Sequence, residues 1–439
     1  FGLVRKSLAE RELLLRQAPH LMWPLRFVLP HEPHLRPAWM IRAGLFLYDH
    51  LARRDWLPGS RGIDLRRHPA GAPLRPDLVR GFEYSDGWTD DARLVLACVR
   101  DAAEHGAEVR TRTACIAAAR NTQHWLATLR NADGSQTRVQ ARALVNAAGP
   151  WAHQVLAEVL GERHAPPLRL VRGSHIVVRA VFAHPYAYIF QNPDGRIVFA
   201  IPYERDFTLI GTTEVEVHDP AAARSSADEE AYLLAAASRY FAQPIAADSV
   251  VHRYGGVRPL IDEAGDASRV SRDYRLAFDR EGAPVLTVFG GKITTFRRLA
   301  EEALDLLAPA LGCTAPAWTQ QGYLPGGDLP ANGSTPPEVF AAYVAALQAR
   351  FAHHPAATIH RLARNYGREA EGLLEAGAAP VAGDVSAAEL EHAWTREWAR
   401  DAQDFLWRRT KLGLHLPPGD QAAIAAWFDA RRTTAGQSS

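Results

Sequence analysis

Five short segments set reactive or anion-binding side chains among small, conformationally free ones. In Val288-Phe289-Gly290-Gly291-Lys292-Ile293-Thr294-Thr295, an apolar run meets two glycines, a lysine and two threonines. Free N–H groups at a helix start there would face an anion, Lys292 would add charge, and Thr294 or Thr295 could cap the helix. An ordinary strand-to-helix turn, with glycine chosen for its φ angle, has the same pattern. Asn146-Ala147-Ala148-Gly149-Pro150-Trp151 again reads as strand, turn and helix, and its small side chains let backbone approach something flat; close helix–strand packing is the plainer reading. Tyr254-Gly255-Gly256-Val257-Arg258-Pro259-Leu260 reads as a loop presenting Arg258, suited to a carboxylate or phosphate or to a structural ion pair. Arg172-Gly173-Ser174-His175 lies between two strand-like runs, where His175 could act as a base near neutral pH or be a hydrogen-bonded structural residue. Gly211-Thr212-Thr213 closes a strand and offers hydroxyls.

The elements that must hold these residues are legible in outline. Residues 1–54 read as two helical stretches, with Ala38 to Leu51 the second, separated by a proline-rich extended loop. Asp90 to Gly106 has an acidic first turn and a glycine stop, the marks of a helix. A strand is expected at Val109 to Thr113, and an antiparallel pair at His124–Arg130 and Thr137–Arg142 around Asp133-Gly134-Ser135. Leu144 onward reads as a buried strand. Residues 168–216 read as a mainly antiparallel sheet, Asp228 to Phe241 as a helix, and 284–307 as strand, turn and helix. A Pro/Gly/Ser-rich stretch at 325–338 precedes an alanine-rich helical region. The class is therefore α/β followed by an all-α part, suited to a two-domain oxidoreductase.

The chain's 439 residues allow two or three domains. Lys plus Arg number 50 and Asp plus Glu 49, so no global basic field points to nucleic acid. Cys98, Cys115 and Cys313 are too few and scattered for a disulfide framework or a zinc site, which suggests a reducing compartment. No apolar run reaches the roughly 18 residues of a membrane-spanning helix, and no signal-peptide pattern opens the chain. No two glycines are spaced i, i+2, so the GxGxxG fingerprint is absent, as are a P-loop and any metal-ligand spacing. The first residue is Phe1 and only Met22 and Met40 occur, so a lost N-terminus is expected.

Taken in order, LPHEPHLRPAWMIRAGLFLYDHL, RGFEYSDGWTDDARLVL, LVNAAGPW, RGSHIVV, IGTTEVE, GGVRPL, SRDYRL, FGGKITTFRRLAE and LWRRTKLGL resemble the FAD-dependent, aerobic and quinone-linked glycerol-3-phosphate dehydrogenases from Phe1 to about Leu414. The resemblance implies an α/β FAD-binding domain of the glutathione-reductase-like type, an antiparallel-sheet substrate cap and an all-α C-terminal domain. These would span 1–167 with some cap elements, 168–260 for the cap, 261–324 for the return to the FAD-binding domain, and 325–439. The implied activity is oxidation of sn-glycerol 3-phosphate to dihydroxyacetone phosphate, with electrons passing through FAD to quinone at a membrane.

By the same resemblance, Arg258 and Lys292 clamp substrate near the flavin, and His175 is the favoured base with Arg258 its rival. Thr212 and Arg272 help bind phosphate; Ala148, Gly149, Gly291, Lys292, Thr294 and Thr295 approach FAD, whose adenine side would meet Thr113–Cys115. No metal is implied. The partners implied are glycerol 3-phosphate, quinone and a membrane surface at the inner face of the cell membrane, with a homodimer allowed. The stretch Met22 to Tyr48 could lie in the interface as an amphipathic element, or its aromatics could be core. The family's opening βαβ unit, which carries the GxGxxG turn, would lie before Phe1. Two other readings stay open: a non-catalytic phosphate-binding fragment, and another FAD oxidase acting on a small amine or hydroxy compound.

Overall fold

The structure, a computed structural model, describes residues 2–33, 35–162, 168–261, 273–377 and 379–437. The chain enters through helix α1 (Gly2–Gln17), strand β1 (Met22–Pro30), helix α2 (Ala38–His50) and strands β2 (Arg61–Asp64) and β3 (Arg80–Thr89). Asp90 caps α3 (Asp91–Glu104) by accepting from the Arg93 N–H. A meander follows, β4 (Ala114–Arg120), β5 (Trp125–Arg130) and β6 (Gln136–Ala141), then β7 (Leu144–Asn146) and the short α4 (Ala152–Gln154).

Strands β8 (Leu168–Arg179), β9 (Ala187–Gln191), β10 (Ile197–Tyr203), β11 (Phe207–Gly211) and β12 (Val215–Val217) are the expected antiparallel run. Helix α5 (Ala227–Ser238) leads to β13 (Val250–Ile261), β14 (Tyr274–Asp279), β15 (Val285–Gly290) and α6 (Phe296–Leu311). Five further helices, α7 (Pro336–Arg350), α8 (Ala356–Tyr366), α9 (Ala370–Glu375), α10 (Ala387–Arg396) and α11 (Pro418–Gln437), form the C-terminal part, which also holds a small hairpin at Pro380–Ala382 and Val385–Ser386.

Nine strands form one sheet in the order β12-β8-β11-β10-β9-β1-β3-β2, with β13 on the free side of β8. Its centre is dry: Ile176, Val178, Phe190, Val198 and Ile210 are fully buried beneath Leu233, Ala237 and Tyr240 of α5 and the turn that follows it. Each such side chain contributes about 1.5–3 kcal/mol of burial. A separate sheet, β14-β15-β7, has β15 parallel to β7 and antiparallel to β14.

Four local expectations are corrected. The proline-rich stretch is an internal strand, β1, paired with β3 along its length and with β9 only at Phe27 and Val28. Pro24 and Pro30 thus lie where no second neighbour needs their missing N–H groups. The strand expected at Val109 to Thr113 starts later, at Ala114, because Arg112 sits at φ +55 and breaks the extended run. YGGVRP is not a loop: Tyr254, Gly255 and Gly256 lie within β13, facing His175, Ser174 and Gly173 of β8, which is the strand expected there. Pro259 is accommodated because β13 pairs with β8 on one side only among the described residues. Finally, β7 is only half buried, with Val145 49% exposed.

Candidate active site

The β8–β13 ladder and the end of β11 bring three sequence-predicted residues together. Gly211 at the end of β11 pairs with His175, which pairs across β8 with Tyr254. Arg258 Nη2 donates to Thr212 Oγ1 at 3.1 Å, and its Nη1 lies 3.7 Å from Glu214 Oε1. Two glycines make the room. A Cβ on Gly173 would overlap the Arg258 guanidinium and the Thr212 hydroxyl, and one on Gly211 would overlap the His175 ring.

His175 stacks on Tyr254 with centroids 5.1 Å apart and planes 9° off parallel. Its Nδ1 is buried with no hydrogen-bond partner. Burial, then the nearby Arg258 charge, pushes its pKa down to about 4, so the imidazole is neutral at physiological pH and able to accept a proton.

Beneath this cluster lies a residue that the motif reading missed. Glu229, 5% exposed, accepts from Thr213 Oγ1 at 2.6 Å, Ser174 Oγ at 2.8 Å, Arg172 Nη2 at 2.7 Å and the Ser226 N–H at 3.0 Å. Burial pushes its pKa up, but these hydrogen bonds outweigh burial and bring it down to about 2. Thr213 Oγ1 also accepts from the Ser174 N–H at 3.0 Å, and the Thr212 hydroxyl donates to the Thr213 carbonyl at 3.1 Å. One carboxylate therefore ties β8, which pairs with the strand carrying Arg258, to the Thr212-Thr213 segment that Arg258 touches. The signal was readable as Ser226-Ala227-Asp228-Glu229, a capping box that the structure forms at the start of α5.

The remaining predicted residues gather at the C-terminal ends of two parallel strands. Val145 and Asn146 pair with Leu286 and Thr287, so the turns Ala147-Ala148-Gly149 and Gly290-Gly291-Lys292 emerge side by side. This is the edge of a parallel sheet where ligands bind. Gly149, Gly290 and Gly291 have φ of +56, +68 and +108, which only glycine adopts without strain. Neither threonine caps α6: Thr295 Oγ1 instead donates to the Lys292 carbonyl at 3.3 Å. Thr294 Oγ1 is buried without a partner, and open space lies where a Gly149 Cβ would stand. An orphaned hydroxyl beside two glycine turns fits a large, flat, phosphate-bearing cofactor.

A small core cluster joins the two halves. Ile261 at the end of β13, Phe289 of β15, and Ala152 and Leu156 behind the 147–151 turn are all buried together. Arg258, three residues before Ile261, is thereby carried on the same packed unit as both cofactor-type turns. Arg272 lies outside the described residues. The Met22 to Tyr48 stretch divides: β1 is internal, whereas α2 exposes Trp39 at 71%, Phe46 at 53% and Leu47 at 56%. No described helix is long and apolar enough to cross a membrane.

Fold and site define a two-part oxidoreductase scaffold with a sheet cap over a cofactor edge and a helical C-terminal domain. Residues 1–297 match the FAD dependent oxidoreductase family, and residues 317–429 match the C-terminal domain of alpha-glycerophosphate oxidase. The chain is 47% identical over 438 residues to a glycerol-3-phosphate dehydrogenase of Pseudomonas aeruginosa, covering 98% of this chain and 84% of that protein. It is 44% identical to the aerobic glycerol-3-phosphate dehydrogenase of Escherichia coli and 43% identical to a D-erythritol 1-phosphate dehydrogenase of Brucella abortus, covering 98% of this chain and 86% of each relative. A glycerol-3-phosphate dehydrogenase from Bacillus halodurans, solved with FAD, shares the fold with a TM-score of 0.74 over 97% of this chain and 85% of that one, at 23% identity. The chain belongs to the FAD-dependent oxidoreductases, in their glycerol-3-phosphate dehydrogenase branch.

Proposed function

We infer that the protein oxidises sn-glycerol 3-phosphate to dihydroxyacetone phosphate with FAD as the hydride acceptor. The observation that carries this reading is the Arg258–Thr212 pair, mounted on the same packed unit as the Gly149 and Gly291 turns. A phosphorylated secondary alcohol needs a fixed cation for its anion, a base for its hydroxyl and an acceptor for the C2 hydrogen. FAD, when bound, supplies the acceptor. Ala148, Gly149, Gly291, Thr294 and Thr295 would hold it by backbone and hydroxyl contacts, and the backbone at Thr113–Cys115 would meet its adenine side. Arg258 and Thr212 bind and orient the substrate, with Lys292 adding charge from the facing turn. The neutral His175 imidazole takes the hydroxyl proton as the C2 hydrogen leaves with its electron pair, so charge and atoms balance.

The residues of α2 support the remaining part of the reading. Trp39, Phe46 and Leu47 project from a helix that carries Arg42 and is flanked by Arg36 and Arg53, which suits a helix lying on an anionic lipid surface. There the enzyme would pass its two electrons to a membrane quinone.

Anaerobic reduction of the flavin-loaded protein tests the substrate. Glycerol 3-phosphate should bleach the flavin band, and glycerol should fail to do so at any attainable concentration. Equal bleaching by glycerol would remove the phosphate requirement and with it the role of Arg258. The 43% identity to a D-erythritol 1-phosphate dehydrogenase favours a second reading, a four-carbon polyol phosphate. The ratio of kcat/KM for the two phosphates decides between them.

A further inference from the structure

A cavity of about 510 Å³ lies where the C-terminal helices meet the sheet, and it shares no residue with the His175–Arg258 cluster. Its volume falls in the range of metabolite pockets, and domain junctions are where such pockets form. Arg364 of α8 lines it. The guanidinium is stacked between the Trp23 and Phe340 rings, 4.3 and 3.7 Å from their centroids, and donates only to the carbonyls of Pro19 and His20. Among the described residues it has no carboxylate partner, whereas Arg361, one turn earlier and also in the wall, pairs with Glu389 at 2.6 Å and Asp384 at 3.0 Å.

Two further wall residues have unmet hydrogen-bonding capacity. His20 is 2% exposed with its Nδ1 unpartnered, and Asn365 Nδ2 is buried without an acceptor. The turn between β10 and β11 supplies Glu204 and Arg205, whose side chains form neither a hydrogen bond nor an ion pair among the described residues. Burial brings His20 down to about 3 and Arg364 down to about 9, the marks of polar groups taken out of water without full compensation. The unmet side chains of Arg364, Arg205, Asn365 and His20 outnumber the one unmet carboxylate, Glu204, whose pKa burial and then Asp90 push up to about 7, so the complementary ligand is an acceptor.

We propose that this cavity binds a small oxyanion, phosphoryl or carboxylate, carried on a planar or apolar body. Arg364 takes the anionic group, Asn365 and His20 satisfy their free donors on it, and Trp23, Leu412 and Leu416 cover the body. The anion gains a desolvated cation that the fold leaves without a carboxylate, an arrangement worth more in a cavity than at a surface.

Calorimetric titration of the flavin-loaded protein with phenyl phosphate and, separately, benzoate tests the proposal. In an Arg258→Ala background, which weakens phosphate recognition at the catalytic site, about one equivalent of at least one probe should still bind; which probe binds tells phosphoryl from carboxylate chemistry. Adding Arg364→Met should weaken that binding about tenfold or more, as loss of a charge-assisted contact does. Arg364→Met alone should leave the kinetics with glycerol 3-phosphate unchanged. Should that variant not fold, Arg205→Gln at the exposed rim should weaken binding severalfold. Failure of both probes to bind in the Arg258→Ala background, or binding that neither substitution moves, overturns the proposal.

Discussion

The cap cluster and the C-terminal cavity both hold arginines, but they place them in opposite electrostatic settings. Around Glu229 the cation meets its carboxylate: Arg172, Ser174, Thr213 and Ser226 converge on that one group. That knot ties Thr213, next to Thr212, to the β8 segment that faces Arg258, and a hydrogen-bonded buried network is rigid and specific. Around Arg364 no carboxylate meets the guanidinium among the described residues, and buried polar atoms stay unpartnered. Such groups are costly unless something meets them. On the proposed reading, one region holds geometry for chemistry and the other accepts an anion.

The largest effect is expected at Arg258. Arg258→Ala should lower kcat/KM with glycerol 3-phosphate by about a thousandfold or more, as expected when the main charge on a bound anion is lost, while the flavin absorbance is retained. Loss of flavin together with activity would move Arg258 from substrate clamp to cofactor site.

A smaller effect is expected one layer back. Glu229→Gln should lower kcat/KM about tenfold to a hundredfold, chiefly through KM, because Thr212 and Arg258 lose their fixed backing. Denaturant unfolding should report a loss of about 3–5 kcal/mol, the usual cost of leaving the Arg172 charge unpaired. An unchanged KM with reduced stability would make Glu229 structural only. Gly211→Ala forces the His175 ring to shift, so kcat should fall about tenfold while KM moves little.

Replacing Trp39 and Phe46 together by serine should weaken partition onto anionic vesicles severalfold and leave turnover with a soluble acceptor intact. The gentlest test is pH. With His175 at about 4, the acid limb of kcat/KM should lie near that value and not near the ordinary imidazole value of about 6.5. Because the unfolded chain takes up that proton first, the contribution of His175 to stability is complete above about 6.5 and is lost as pH falls toward 4. An inflection near 6.5 would mean that water reaches the ring.

Much of this was legible in the residues themselves. The β-branched run at 168–216, the helix opening at Asp90 and the Gly-Gly-Lys turn declare themselves because pattern, cap and φ preference are local properties. The proline-rich stretch did not, since whether an extended segment is loop or strand depends on who pairs with it. β1 gains β3, more than 50 residues away, and β9, more than 150 away. The same holds for YGGVRP, whose two glycines suggest a flexible loop until β8 lies alongside.

The chemical residues divide along the same line. Arg258, Lys292, His175 and Thr212 stand out from their neighbours in the chain, and their types alone suggested an anion, a base and a flat cofactor. Which of them meet was decided by the tertiary structure. Thr212 reaches Arg258 across 46 positions, His175 loses its ordinary basicity only when Tyr254 and the sheet exclude water from it, and the Arg364 cavity exists only between two parts of the fold. Residue type and short-range spacing set which chemistry is available; burial and the charge of distant neighbours set which of it is used, because desolvation and Coulomb energy depend on distance in space and not on distance along the chain.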